Sequence, residues 1–228
     1  MKKIVLILIL AISACSPQKS ITDRVTLTSP DGDLSMEFLL EDGIPMYTLK
    51  HKGTDVLLPS RLGFEIRGSM KSALIRFDGD HITKSDVKPS FLLDRNFELL
   101  CTSNSSFDEY WEPVWGEESS IRNHYHELLV ELKQKESGHL LNIRFRLFDD
   151  GLGFRYEFPD KQRLTHFAIK EELTEFAMAD DCFAWWIPGD YDTQEYEYGE
   201  CKLSEIEENF KEQIWANSSQ TPFSTSGV

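Results

Sequence analysis

Four carboxylates fall within eight residues near the carboxy-terminal end of this chain: Asp190, Asp192, Glu195 and Glu197. Tyr191, Tyr196 and Tyr198 are interleaved with them, and Trp185-Trp186-Ile187-Pro188-Gly189 runs directly into the cluster. Carboxylate oxygens are the ligands that a hard cation such as calcium takes. Aromatic rings beside them suit stacking on the apolar faces of a sugar. The plainer alternative keeps Trp185 and Trp186 in the core and makes the acids a solvated loop. Composition leaves both open. Pro188-Gly189 predicts the end of a strand and the start of that loop.

The elements that must position this stretch are drawn from 228 residues, 40% hydrophobic and 28% charged. That is a globular composition with room for one large or two small domains. The formal net charge is −15. Between Glu171 and Glu212 fourteen acidic residues face only Lys202 and Lys211, so most of the excess lies around the carboxylate cluster. Phosphate binding needs a basic surface, so this balance argues against a nucleic-acid partner. It favours a cation or a neutral polar ligand.

The amino terminus reads as an export signal. Lys2-Lys3 precede the apolar run Ile4–Ile12, which is too short for a mature membrane span. Ile12-Ser13-Ala14-Cys15 resembles the lipobox of bacterial lipoproteins, in which lipid is attached to the cysteine. The expectation is a signal peptide over 1–15, a polar tether over 16–23 and one β domain over 24–228. The mature protein is then exported, as a periplasmic or outer-membrane lipoprotein that meets the membrane only through its anchor. Cys101, Cys182 and Cys201 remain, an odd number that argues against a full disulfide framework. A Cys182–Cys201 bond clamping the acidic loop and free thiols are both open.

From Arg24 onward turn signals recur about every ten residues, the pattern of an antiparallel sandwich or barrel. Leu34, Met36, Phe38 and Leu40 alternate, as do Leu128, Val130 and Leu132, then Leu141, Ile143, Phe145 and Leu147. Phe154, Tyr156 and Phe158 continue the alternation. Phe91–Thr102 reads as one strand or two short ones. Ser204 with Glu207 predicts a capping box, and Ile206, Phe210 and Ile214 fall at helical spacing, so a short helix is expected over Glu205–Ile214.

No phosphate loop, nucleophile elbow or dinucleotide fingerprint occurs in the sequence. His124 and His126 stand two apart, on one face of a strand, where they suit a metal, a sugar hydroxyl or a structural role. Trp111 and Trp115 bracket a rigid Glu112-Pro113-Val114 segment, as a stacking platform or as core.

Four blocks occur in a telling order: Tyr110-Trp111-Glu112-Pro113-Val114-Trp115-Gly116-Glu117, Ile121-Arg122-Asn123-His124-Tyr125, Phe145-Arg146-Leu147-Phe148-Asp149-Asp150-Gly151-Leu152-Gly153-Phe154-Arg155-Tyr156 and Trp185-Trp186-Ile187-Pro188. Together with Ser29-Pro30-Asp31-Gly32, they resemble the amino-terminal domain of glycoside hydrolase family 97, a family of α-glucosidases and α-galactosidases. The resemblance covers essentially the whole mature chain.

The resemblance implies an all-β, antiparallel β-super-sandwich like that of galactose mutarotase, with the short carboxy-terminal helix. It implies that a catalytic (β/α)8 barrel follows and carries the catalytic carboxylates, so that no catalytic residue is assigned to these 228 residues. It also implies a calcium ion in the active site, with one ligand from this domain, matched by position to Glu195. Ala216, Asn217 and Ser218 match a loop that reaches the sugar. The expected whole is a calcium-dependent, exo-acting α-glycosidase, an α-glucosidase on starch-derived, α-linked oligosaccharides, in which this domain packs on the barrel. The 228 residues alone are expected to be inactive. The alternative is a stand-alone carbohydrate-binding lipoprotein without catalysis.

Overall fold

The computed structural model describes residues 23–67, 77–78, 81–82, 90–159, 167–189, 196–213 and 225–226. Two four-stranded antiparallel meanders form the body. The first holds β1 (Arg24–Thr28), β2 (Leu34–Glu41), β3 (Ile44–His51) and β4 (Thr54–Arg61) in sequential order. Short strands β5 (Phe64–Arg67), β6 (Phe77–Asp78), β7 (His81–Ile82) and β8 (Phe91–Leu93) follow. The second meander is β9 (Phe97–Trp111), β10 (Ile121–Gln134), β11 (Leu140–Leu147) and β12 (Leu152–Glu157). β13 (Ala168–Glu172) pairs with β5, whose other edge takes β8. β14 (Phe183–Pro188) lies between β15 (Gly199–Lys202) and β16 (Thr225–Ser226). The only helical turns described are a 3-10 turn at Leu203–Glu205 and α1 (Ile206–Gln213).

The turns explain the meanders. Asp42-Gly43 and Lys52-Gly53 all take positive φ, at 51°, 76°, 50° and 83°. That is the two-residue hairpin geometry whose twist matches the flanking strands. The alternating residues then meet between the two meanders. Met36 and Phe38 from β2 are fully buried, and so are Leu128, Val130 and Leu132 from β10 and Leu141, Ile143, Phe145 and Leu147 from β11. Tyr47 and Phe38 bring their rings to within 6.2 and 6.3 Å of Phe145, and Phe154 reaches Tyr47 at 5.4 Å. The predicted all-β sandwich is the observed fold, and burial of this apolar face is its main stabilising force.

One open alternative is decided and two local expectations change. Phe91–Thr102 divides at Asn96, a residue in the left-handed region (φ 60°), and its second part runs on to Trp111. Past Cys101 that strand is Thr-Ser-Asn-Ser-Ser, with no apolar alternation to reveal it, and it is held through its ladder to β10. The expected Ser204–Glu207 box is replaced: the Ser204 amide and hydroxyl both donate to Asp181 at 2.9 Å, while the Lys202 amide donates to Glu205 at 3.2 Å. The α-helix accordingly begins at Ile206; Ile214 lies outside the described residues.

Segment 173–179 carries the chain from the sandwich towards β14. The Leu173, Glu175 and Ala179 amides donate to the carbonyls of Gly63, Arg61 and Val56 at 2.9, 2.9 and 3.1 Å. The Tyr47 hydroxyl donates to the Glu175 carbonyl at 3.0 Å. Burial pushes that phenol up to about 12, so it remains a neutral donor at any physiological pH.

Candidate functional site

The carboxylate-rich stretch connects β14 to β15, and its two flanking strands fix where it starts and ends. Pro188 closes β14, paired with Thr225 of β16. The tryptophan pair separates across the strand. Trp186 is fully buried and donates its indole Nε1–H to the Cys201 Sγ at 3.1 Å. Its ring lies 6.3 Å from that of Phe210 on α1, in a small cluster with Ala184 and Ile206. Trp185 and Phe183 face the other way and are 59% and 63% exposed. They stand opposite Glu200 and Lys202 of β15. One tryptophan is thus core and the other is free for a ligand or a neighbouring surface.

Within the loop itself Tyr196 is buried, whereas Glu197 and Tyr198 are exposed. Tyr196 and Tyr198, two residues apart, thus differ in burial. Asp190, Tyr191, Asp192 and Glu195 lie outside the described residues, as do Ala216, Asn217, Ser218 and Cys15. Among the described residues no three His, Cys, Asp or Glu side chains come together to hold a metal ion. Cys101, Cys182 and Cys201 are free thiols.

The histidines divide as well. His126 Nδ1 lies 2.8 Å from the Thr28 carbonyl and so donates, as a structural tie to β1. The His124 Nδ1 is buried without a partner among the described residues. Trp111 and Trp115 do not belong to the core: Trp115 is 88% exposed and Trp111 is 47% exposed, at the far end of the β9–β10 hairpin.

The sequence concealed a charge network on the outer face of the second meander. Glu127 is only 8% exposed and accepts from both Arg144 and Arg146. Arg144 also donates to both Glu157 oxygens, at 2.7 and 3.2 Å, and Arg155 adds a third bond to Glu157 at 2.9 Å. Burial opposes ionisation of Glu127, but the two guanidinium groups outweigh it and hold the carboxyl below its usual range. Arg144 lowers Glu157 in the same way, against partial burial and with help from Arg155. The signal was the alternation of Asn142, Arg144 and Arg146; nothing in sequence marked Glu127 as their buried partner. A separate polar cleft of about 590 Å³ is lined by Arg61, Asp94, Arg95, Thr174 and Glu175, with Ile44, Leu62 and Leu173.

A model of the glycosyl-hydrolase 97 N-terminal family matches residues 27–226. The chain belongs to this family. Among solved structures, the fold resembles a glycoside hydrolase family 97 enzyme from Pseudoalteromonas sp. strain K8, determined as a variant in complex with panose and also in complex with acarbose. In each case identity is 28% and the TM-score 0.64, over 78% of this chain and 24% of that one. A β-arabinopyranosidase crystal structure shares the fold at 22% identity and a TM-score of 0.57, over 73% of this chain and 23% of that one. This glycosyl-hydrolase 97 N-terminal domain thus spans about a quarter of the length of the enzymes it matches.

Proposed function

We propose that this chain is the amino-terminal domain of a calcium-dependent, exo-acting α-glycosidase, an α-glucosidase acting on starch-derived oligosaccharides. The observation that carries the reading is the family match over 27–226 together with a related enzyme bound to panose and to acarbose. The domain packs on a catalytic barrel, gives Glu195 to calcium and walls part of the sugar pocket with Ala216, Asn217 and Ser218. Calcium, once held, would act as the fixed positive charge of the site. The loop bearing Glu195 leaves β14 through Pro188 and returns through buried Tyr196.

The acid and base groups that cleave a glycosidic bond belong to the barrel in this reading. The full-length enzyme should therefore hydrolyse an aryl α-glucoside and lose that activity to a calcium chelator. The 228-residue chain should show no turnover on the same substrate. Turnover by the short chain would place the active site within it and contradict the proposal. For localisation, Cys15 is the proposed lipid acceptor of a periplasmic or outer-membrane lipoprotein. Cys15→Ser should move the protein to the soluble fraction, because each buried acyl CH₂ contributes about 0.8 kcal/mol to anchoring. Unchanged membrane association of that variant would remove the anchor from the account.

The exposed pair Phe183 and Trp185 keeps a second reading open, a stand-alone carbohydrate-binding lipoprotein. Saturable maltooligosaccharide binding by the 228-residue chain, abolished in Trp185→Ala, would favour it.

A further inference from the structure

Arg144 on β11 stands directly opposite Arg155 on β12, and Arg146 directly opposite Gly153. These four positions form one block on the outer face of the second meander, three arginines and a glycine. Like charges directly opposite each other in a ladder are unfavourable. Glu127 and Glu157 offset part of that repulsion, from positions at the margin of the block. Three guanidinium groups against two carboxylates leave one positive charge, in a chain whose net charge is −15.

The bonds also leave donors over. Arg146 uses Nε on Glu127, and its guanidinium lies over the Tyr125 ring, 4.5 Å from the centroid. Arg155 turns Nε and one terminal nitrogen to Glu157. Both terminal nitrogens of Arg146 and one of Arg155 therefore have no carboxylate among the described residues. Between them is a pocket of about 200 Å³ lined by Arg144, Arg146, Phe148, Gly153, Phe154 and Arg155. Gly153 makes room for it: a Cβ built there meets no atom within 4 Å. Any larger residue would stand in the gap between the guanidinium groups.

We propose that this gap binds a single carboxylate group, held between the Arg146 and Arg155 guanidinium groups above Gly153. The planar fork of donors that arginine presents matches a carboxylate's two oxygens. Phe148 lines the same pocket and suits the carbon skeleton that bears the carboxylate. The carboxylate can be carried by a sugar acid or by an acidic side chain of a protein segment, since both present the same group.

The test is a titration of isotope-labelled protein at constant ionic strength, following the Gly153 amide and the Arg146 Nε–H signals. The probes are sodium glucuronate, N-acetylglutamate N-methylamide and, as the neutral control, glucose. Both signals should move saturably with at least one carboxylate and stay still with glucose. A response to glucuronate alone assigns the site to a sugar acid, and a response to the glutamate derivative alone assigns it to a protein side chain. Equal responses leave the carboxylate itself as the recognised unit. Arg146→Gln should weaken binding about tenfold, the effect of one charge-assisted pair. Gly153→Leu should abolish it while the unfolding midpoint changes little, because the added side chain enters open space. Undiminished binding in Gly153→Leu, or equal shifts with glucose, would overturn the proposal.

Discussion

The Trp186 indole donates to the Cys201 sulfur across the β14–β15 pair, 3.1 Å apart and sealed beneath α1. This contact ties the hairpin that bears the acidic loop to the helix that follows it. Trp186→Ala should cost about 3–5 kcal/mol, the usual result of emptying a large buried aromatic site. Cys201→Ala removes the acceptor and a small volume and should cost about 1–2 kcal/mol. Denaturant unfolding of the two variants checks the order. Equal stability of Trp186→Ala and the parent would show that the hairpin is not held from inside.

Gly63 should be intolerant of any side chain. A Cβ there would fall 2.6 Å from both the Asp94 Cα and Cβ and 2.8 Å from the Leu93 carbonyl oxygen. Backbone is in the way, so the strand pair β5–β8 would have to move. Gly63→Ala should destabilise by about 3 kcal/mol, whereas Gly32→Ala meets no atom within 4 Å and carries only its positive φ of 82°. Thermal unfolding of the two variants should separate them clearly.

Acid should weaken the outer-face charge network. Glu127 and Glu157 ionise more readily in the folded protein than in the unfolded chain, so their contribution is complete above the ordinary glutamate value of 4.5. It is lost progressively as pH falls below that value and the folded carboxyls take up protons. Glu127→Gln should therefore be less stable than the parent at pH 7, by about 2 kcal/mol for one half-empty buried pair. The gap should narrow as pH falls below 4.5. A stability difference that is constant with pH would mean that Glu127 contributes shape and not charge.

The sandwich was legible because its faces obey a period of two. Leu141, Ile143, Phe145 and Leu147 could be assigned inward from sequence alone, and all four are fully buried. The second half of β9 was not, since Ser103, Asn104, Ser105 and Ser106 carry no apolar alternation and depend on a ladder formed elsewhere. Trp185 and Trp186 show the limit for the candidate site. Adjacent identical residues look alike in sequence, yet strand geometry sends one into the core and the other to solvent. Glu127 illustrates the reverse case, a charge at a buried position. Its partners Arg144 and Arg146 lie 17 and 19 residues away and meet it only through the β10–β11 register.

The central claim is that this domain gives Glu195 to a calcium ion shared with a catalytic barrel. The most direct measurement is calorimetric calcium binding, paired with turnover, on full-length Glu195→Gln, Asp192→Asn and Glu197→Gln. The amide keeps the shape and one oxygen of Glu195 but removes its charge, and calcium affinity rises with ligand charge. Glu195→Gln should lose calcium affinity and activity together, while the other two variants stay close to wild type. Failure of Glu197→Gln with an unimpaired Glu195→Gln would move the ligand by two residues. Wild-type behaviour in all three would contradict the claim and leave the acidic loop as solvated surface.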